Sequence, residues 1–129
     1  MHSSSRTLAL RRSIKLVVLL CALVLPASAQ NLNVAGEWMV ELTLPLGDQT
    51  FTMLIEQKDN VLSGHTVNEF GQSDLTGSIS RDQIKLQWSF VDGGAVIPVT
   101  FNGKATRYDM SGSAKVGTIG EGPVEAHRK

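Results

Sequence analysis

The feature that most constrains the fold of this chain is a strict alternation of apolar and polar residues in short runs. In WMVELTL (38–44) and in IKLQWSF (84–90), every second residue is a large apolar one. A period of two places those residues on one face of a β-strand. Beyond residue 30 we find no window with apolar residues spaced i, i+3, i+4 and i+7, so the alternation predicts an all-β protein.

Turn residues separate the alternating runs at the short intervals that are typical of hairpins. PLGD (45–48), KDN (58–60) and DGG (92–94) combine Pro, Gly, Asp and Asn, which are the residues that β-turns prefer. Short strands joined by such turns pair with their neighbours in the chain. The sequence therefore predicts an antiparallel up-and-down meander that forms a small closed or strongly rolled barrel of about eight strands.

Four glycines lie inside the predicted strands, where Gly ordinarily weakens a strand. They occur in a faint internal repeat, in which LTGSISRDQIKL (75–86) can be aligned with FNGKATRYDMSG (101–112). A sharply bent sheet, or an aromatic ring lying over the bare backbone, would explain glycine at these positions. We therefore interpret these glycines as structural; they are Gly64, Gly77, Gly103 and Gly112.

The first 29 residues have the three regions of a signal peptide. A basic segment without acidic residues precedes the apolar run LVVLLCALVLP (16–26), which is too short to span a bilayer as a helix. The small-residue site ASA (27–29) places cleavage before Gln30. We expect export to the periplasm or beyond the cell, with residues 1–29 removed and 30–129 left as a single β-barrel domain. An uncleaved membrane anchor is the alternative.

Removal of the predicted signal peptide changes both the cysteine content and the charge. Cys21 is the one cysteine, and Leu20 before it does not match a lipoprotein attachment site. Four of the 12 basic residues and none of the 12 acidic residues are removed, which leaves a net charge of −4. A mildly acidic domain without a basic cluster argues against nucleic acid or an anionic membrane as its partner.

The segment GEW (36–38) at the start of the first strand resembles the opening of lipocalins, avidins and other calycin-type barrels. That resemblance implies a closed barrel, a carrier function and a basic residue near the chain end against the tryptophan, a position that Arg128 matches. The chain is also similar to small secreted bacterial β-domains of unknown role, some of which look like domains appended to amidohydrolases. The residues that match this second pattern are Gly36, Trp38, LSG (62–64), LTG (75–77), MSG (110–112), Ala126 and Arg128.

Closure of the sheet would bring the first strand beside the last and Trp38 close to Arg128. An arginine guanidinium can stack on an indole ring within about 6 Å of its centroid while its stem covers apolar surface. We predict this contact as a structural seal of the barrel end. The alternative is that the last residues form a frayed, solvated tail.

Two reactive constellations can be drawn from the sequence, and neither passes a geometric test. His65 and Glu69 are four residues apart on one strand, about 13 Å, which is too far to share a metal ion, with or without His127. Ser63, His65 and Asp74 could be drawn as a triad, but no strained nucleophile elbow surrounds the serine. We therefore predict no catalytic residue, no metal ligand and no cofactor.

The remaining candidate site is the barrel interior. An eight-stranded barrel is just wide enough to be filled by its own side chains or to hold one small ligand. The many large inward residues favour a filled interior, whereas Gly64 and Gly112 leave room. We predict a non-enzymatic, exported binding or interaction module of unknown partner, either a protein or a small apolar ligand; the alternative is a calycin-like carrier of a small apolar ligand. The candidate ligand-binding residues are Trp38, Trp88, Phe90 and Phe101.

Overall fold

The computed structural model describes residues 30–45, 47–69 and 71–129, and the predicted signal peptide (1–29) lies outside them. These residues form eight β-strands. In chain order they are β1 (Gly36–Leu44), β2 (Gly47–Lys58), β3 (Val61–Asn68), β4 (Gly71–Ser80), β5 (Gln83–Asp92), β6 (Ala95–Ala105), β7 (Asp109–Val116) and β8 (Gly120–Arg128). Within the described ranges, no helix is long and apolar enough to cross a membrane.

Each strand pairs antiparallel with the next along the chain, and β1 also pairs with β8. The closing ladder runs from Trp38 opposite Arg128 to Leu42 opposite Val124. The sheet is therefore a closed up-and-down barrel, which confirms the predicted fold class and strand number. The predicted turn at 45–48 is shorter than expected, because β2 already begins at Gly47.

The two ends of the barrel are built from different connections. We call one the closed end; it contains the connections 58–61, 80–83 and 105–109 together with residues 31–36 and 126–129. We call the other the open end; it contains the connections 44–47, 68–71, 92–95 and 116–120. The up-and-down order alone produces this division, because every second connection must lie at the same end.

The alternation fills most of the barrel with apolar side chains. The four alternating positions of β1 from Trp38 to Leu44 are all buried. In β5 the same is true of Ile84, Leu86 and Trp88, and Phe90 is half-buried. The inward face of each strand can therefore be identified from its period-two pattern.

The glycines of the internal repeat lie where a neighbouring strand leaves no room for a side chain. A Cβ atom at Gly77 would overlap the carbonyl oxygen of Lys85 and would lie 2.8 Å from Cδ2 of Leu86. The atoms closest to Gly77 therefore belong to the backbone and to an aliphatic side chain. The aromatic ring that was expected over this glycine is not among its nearest neighbours.

A ring does cover the second glycine of the repeat. A Cβ atom at Gly103 would overlap the carbonyl oxygen of Ser111 and would lie 2.6 Å from Cζ of Phe101. Gly112 lies directly opposite Gly103 in the β6–β7 ladder. The added Cβ atoms at Gly64 and Gly112 would overlap the carbonyl oxygens of Leu54 and Asn102, respectively.

Candidate ligand-binding site

A pocket of about 690 Å³ occupies the open end of the barrel. Its lining comes from β2 to β6 and the 68–71 connection, and short side chains such as Thr66, Gly71 and Ser73 occupy inward positions there. At the same level of the wall, β1 places the larger Leu42 and Leu44. The expectation of a filled interior is therefore correct for the closed half and wrong for the open half.

Three aromatic side chains form one wall of the pocket. They are Phe51 of β2 and Trp88 and Phe90 of β5. The ring centroids of Phe51 and Trp88 are 5.6 Å apart with an interplanar angle of 57°. Such tilted pairs are favourable arrangements of aromatic rings and hold both side chains in place. The pocket thus has a rigid apolar wall without needing a ligand to form it.

Thr66 introduces a hydroxyl group into the same pocket. It is the one buried polar residue in the described part of the chain, with 5% of its surface exposed. Its hydroxyl makes no hydrogen bond to another residue of ranges 30–45, 47–69 and 71–129. Since Thr66 lines the pocket, its free hydroxyl can donate to or accept from a group that enters there.

Strands β4 and β5 separate at the open end. Their ladder ends at the pair Thr76–Gln87, so residues 71–75 and 88–92 do not pair with each other. Both segments remain paired on their other sides, with β3 and β6 respectively. The Oγ of Ser73 crosses this β4–β5 gap and accepts a hydrogen bond of 3.2 Å from the backbone N–H of Ser89. Residues of both separated segments line the pocket.

The rim of the pocket is acidic. Asp48, Glu69 and Asp92 are among its lining residues, and no Lys, Arg or His is. In the part of the chain that the structure describes, none of these three carboxylates forms an ion pair. The electrostatic potential at the open end is therefore negative.

The segment 31–35 covers the opposite end of the barrel. Val34 is fully buried there, and Leu32 packs against the core. The side-chain amide of Gln57 accepts a hydrogen bond from the N–H of Val34 (2.8 Å) and donates one to the carbonyl of Leu32 (3.0 Å). The indole Nε1 of Trp38 donates to the carbonyl of Val34 at 2.9 Å. These bonds hold the segment across the barrel, so this end is closed.

Arg128 seals the closed end from the other side. Its guanidinium carbon lies 4.5 Å from the centroid of the Trp38 ring, so the predicted contact is present and the frayed tail is not. The guanidinium also donates hydrogen bonds to the carbonyl oxygens of Ala35, Asn33 and Arg107. The charge is therefore paired with backbone dipoles over an aromatic face.

The four residues predicted to bind ligand do not lie together. Trp88 and Phe90 line the pocket, whereas Trp38 lies at the closed end and Phe101 in the buried core. A Cβ atom at Gly36 would lie 2.7 Å from Nη1 of Arg128, so this glycine leaves room for the guanidinium. Gly64, Gly77, Gly103 and Gly112 lie in the barrel wall, as described above.

Of the pocket lining, only Trp88 and Phe90 are predicted by sequence reasoning; the missed residues include Phe51, Thr66 and the acids of the rim. The alternation places Phe51 on an inward face but does not assign it to the site. The sequence contains one signal for Thr66. It is a polar residue on the inward face of β3, at the alternate position that follows Leu62 and Gly64. The period-two pattern identifies the face on which a residue lies, but not its depth along the barrel axis.

The histidines and acids considered for chemistry do not converge. His65 lies opposite Asp74 in the β3–β4 ladder, and Glu69 lies at the pocket rim. His127 lies at the closed end, where its Nδ1 is 2.6 Å from Oδ1 of Asp109. This hydrogen bond raises the pKa of His127 above its ordinary value. Within the described residues, no group of three or more His, Cys, Asp or Glu could hold a metal ion.

Comparisons with known proteins add no family to this description. No family model, no curated protein and no solved structure matches the chain. Function must therefore be inferred from the geometry of the pocket.

Proposed function

We propose that this barrel is a non-enzymatic binding module that holds a small ligand in its open end, in the manner of a calycin-like carrier. The observation that carries the proposal is the pocket of about 690 Å³ with its aromatic wall. Pockets for small ligands measure about 300–1,000 Å³ and combine apolar walls with a few polar groups. The phenyl and indole rings supply the apolar wall, and the free hydroxyl of Thr66 supplies a polar group inside it.

The closed end favours the same function. A carrier needs one opening, because a barrel with two would be a channel. Segment 31–35 and Arg128 cover one end, while the β4–β5 gap leaves the other accessible. The GEW segment and the Trp38–Arg128 contact add the resemblance to calycin-type barrels.

The test is a titration of residues 30–129 with the neutral dye Nile red, whose fluorescence rises in an apolar environment. Thr66→Phe places a phenyl ring into the pocket and should abolish dye binding. Thr76→Phe makes the same substitution on the exposed outer face of β4 and should leave binding unchanged. Equal binding by wild-type protein and the Thr66→Phe variant would disprove the proposed site. If Thr66→Phe does not fold, Phe90→Ala, which shortens the aromatic wall, replaces it and should weaken binding.

We also propose that the protein is exported and that its mature form begins at Gln30. The support is the three-part pattern of residues 1–29. N-terminal sequencing of the protein recovered from outside the cytoplasm should begin with QNLNV. Retention of residues 16–26 in that form would support a membrane anchor instead.

A second candidate function is an interaction module for another protein. Val91 and Val96 face each other across the β5–β6 hairpin and are 65% and 68% exposed. Exposed apolar side chains near the pocket mouth would suit a partner that delivers or receives the ligand. Both side chains also line the pocket mouth. Replacing both with Thr should weaken association with such a partner.

A further inference from the structure

We propose that the ligand is an amphiphilic organic cation, with its cationic head at the acidic rim and its apolar body against the aromatic wall. This inference rests on the proposed function, because it specifies the chemistry of the ligand that the open end would hold. It depends on three independent features of the pocket: its charge, its rings and its free hydroxyl.

Charge is the first feature. Asp48, Glu69 and Asp92 line the pocket, and its lining contains no cationic side chain that could neutralise them. An anionic ligand would have to approach three carboxylates without a compensating partner, whereas a cation is attracted to them. The sign of the rim therefore selects against fatty acids and in favour of amines and quaternary ammonium groups.

The distribution of basic residues reinforces that selection. Most of the Lys and Arg residues in the described ranges lie at the closed end, far from the pocket, and Lys115 lies on β7, which contributes no lining residue. The described basic residues thus lie mostly away from the mouth, where Asp48, Glu69 and Asp92 form no ion pair within the described ranges. The closed-end residues are Lys58, Arg81, Arg107, Arg128 and Lys129.

The aromatic wall is the second feature. The faces of Trp and Phe rings attract cations within about 6 Å of their centroids, and quaternary ammonium groups are recognised in this way. Trp88 and Phe90 are on the same strand as the rim carboxylate Asp92 and at alternate positions, so rings and carboxylate follow one another towards the mouth. A ligand with an ammonium head and an apolar body would contact all three.

The hydroxyl of Thr66 is the third feature. The residue is buried and lines the pocket, and its hydroxyl has no hydrogen-bond partner in the described ranges. No side-chain polar atom of the described residues is both buried and unsatisfied, so this hydroxyl is accessible from the pocket and can hydrogen-bond with a polar group of a ligand. Thr66 argues for a ligand with polar character below the rim, rather than for a purely aliphatic one.

The experiment compares three ligands with the same eight-carbon chain and different head groups: octyltrimethylammonium, octan-1-ol and octanoate. Residues 30–129 are titrated with each by calorimetry below micelle-forming concentrations, with tryptophan fluorescence as the second readout. We expect the cation to bind at least about tenfold more tightly than octanoate. Raising NaCl from about 0.05 M to about 0.5 M should reduce the difference, since salt screens the rim.

Two sets of variants locate the effect. The double variant Glu69→Gln, Asp92→Asn should weaken binding of octyltrimethylammonium by about threefold per carboxylate and leave octan-1-ol unchanged. The matched control Asp59→Asn, Asp82→Asn neutralises two exposed acids in closed-end turns. It should leave the binding of octyltrimethylammonium and of octan-1-ol unchanged. Phe90→Leu keeps an apolar side chain but removes the ring. It should weaken binding of octyltrimethylammonium more than binding of octan-1-ol.

The possible outcomes separate the inference from the function it rests on. If octan-1-ol or octanoate binds as tightly as octyltrimethylammonium, the pocket is a binding site but the cation assignment is wrong. If the control variant weakens binding of octyltrimethylammonium as much as the rim variant does, the rim carboxylates do not select the cation. The cation assignment is then wrong as well. If none of the three ligands binds, both the cation assignment and the proposed function are overturned.

Discussion

Arg128 joins three carbonyl groups of two backbone segments and one aromatic ring through a single guanidinium group. It bonds the 31–35 segment through Asn33 and Ala35, bonds the 105–109 connection through Arg107, and stacks on Trp38. These partners lie near the beginning of the barrel sequence and near its end. One side chain therefore holds together parts of the closed end that are far apart in the chain.

Replacing Arg128 should therefore be costly compared with its neighbour. We expect Arg128→Ala to lower the free energy of unfolding by about 2–3 kcal/mol, through loss of the ring contact and the charged hydrogen bonds. Lys129→Ala removes an exposed ion pair with Glu37 and an exposed hydrogen bond to Thr52, and it should lower the free energy of unfolding by at most about 1 kcal/mol. Urea denaturation of both variants measures the difference. Equal losses would show that Arg128 does not seal the barrel.

His127 gives the closed end a pH-dependent component. Its hydrogen bond with Asp109 raises its pKa, so the folded state binds the proton more tightly than the unfolded state. The stabilisation is complete below about pH 6.5, the ordinary pKa of histidine, and is lost as the pH rises through the folded-state pKa. The melting temperature should fall from about pH 6 to pH 8 by more in wild-type protein than in Asp109→Asn.

An NMR titration of His127 supplies the control for that comparison. The pKa of His127 should fall in Asp109→Asn, because the first cause of its elevation is then weakened. An unchanged pKa would show that another group holds the proton, and the pH dependence of stability would then need a different source.

At the scale of the element, the glycine-containing hairpins β4–β5 and β6–β7 repeat one design. In each, an inward glycine faces a neighbouring carbonyl oxygen so closely that a side chain would overlap it. Gly77→Val and Gly103→Val should each lower the free energy of unfolding by about 1–3 kcal/mol through overpacking. The adjacent outward substitutions Thr76→Val and Asn102→Val should change it by about 0.5 kcal/mol or less. Wild-type melting temperatures for both glycine variants would disprove this crowding.

The strands could be predicted from the sequence because a period of two is a local property of the chain. The alternate residues from Trp38 to Leu44 and from Ile84 to Phe90 therefore face inward as expected. The pocket could be predicted only in part, because its volume depends on which strands stand at the same height in the barrel. The register that places Thr66 opposite Ser73, and the early end of the β4–β5 ladder, are properties of paired strands and have no signature in either strand alone.

At the scale of the whole molecule, closure removes the free strand edges that would otherwise pair with other chains. A chain that ends at residue 119 lacks β8 and leaves one edge of β1 and one edge of β7 free, so we expect it to self-associate. A circular permutant that joins residue 129 to residue 31 through a short Gly–Ser linker and opens at Gly93–Gly94 keeps every ladder and should be a monomer. Size-exclusion chromatography with light scattering distinguishes the two. A monomeric, folded truncation would show that closure is dispensable.

The β4–β5 gap has a consequence for motion as well as for shape. Apart from that of Ser89, which bonds to Ser73, the backbone amides that point into the gap lack a partner strand, so local opening should begin there and expose them to solvent exchange before the rest of the sheet. Hydrogen–deuterium exchange should therefore be faster at those amides of residues 71–75 and 88–92 than in the β5–β6 ladder. A ligand bound in the pocket would stabilise this region against local opening and slow that exchange. The break in the sheet thus determines where local opening begins. It also determines which amides should exchange more slowly when a ligand binds.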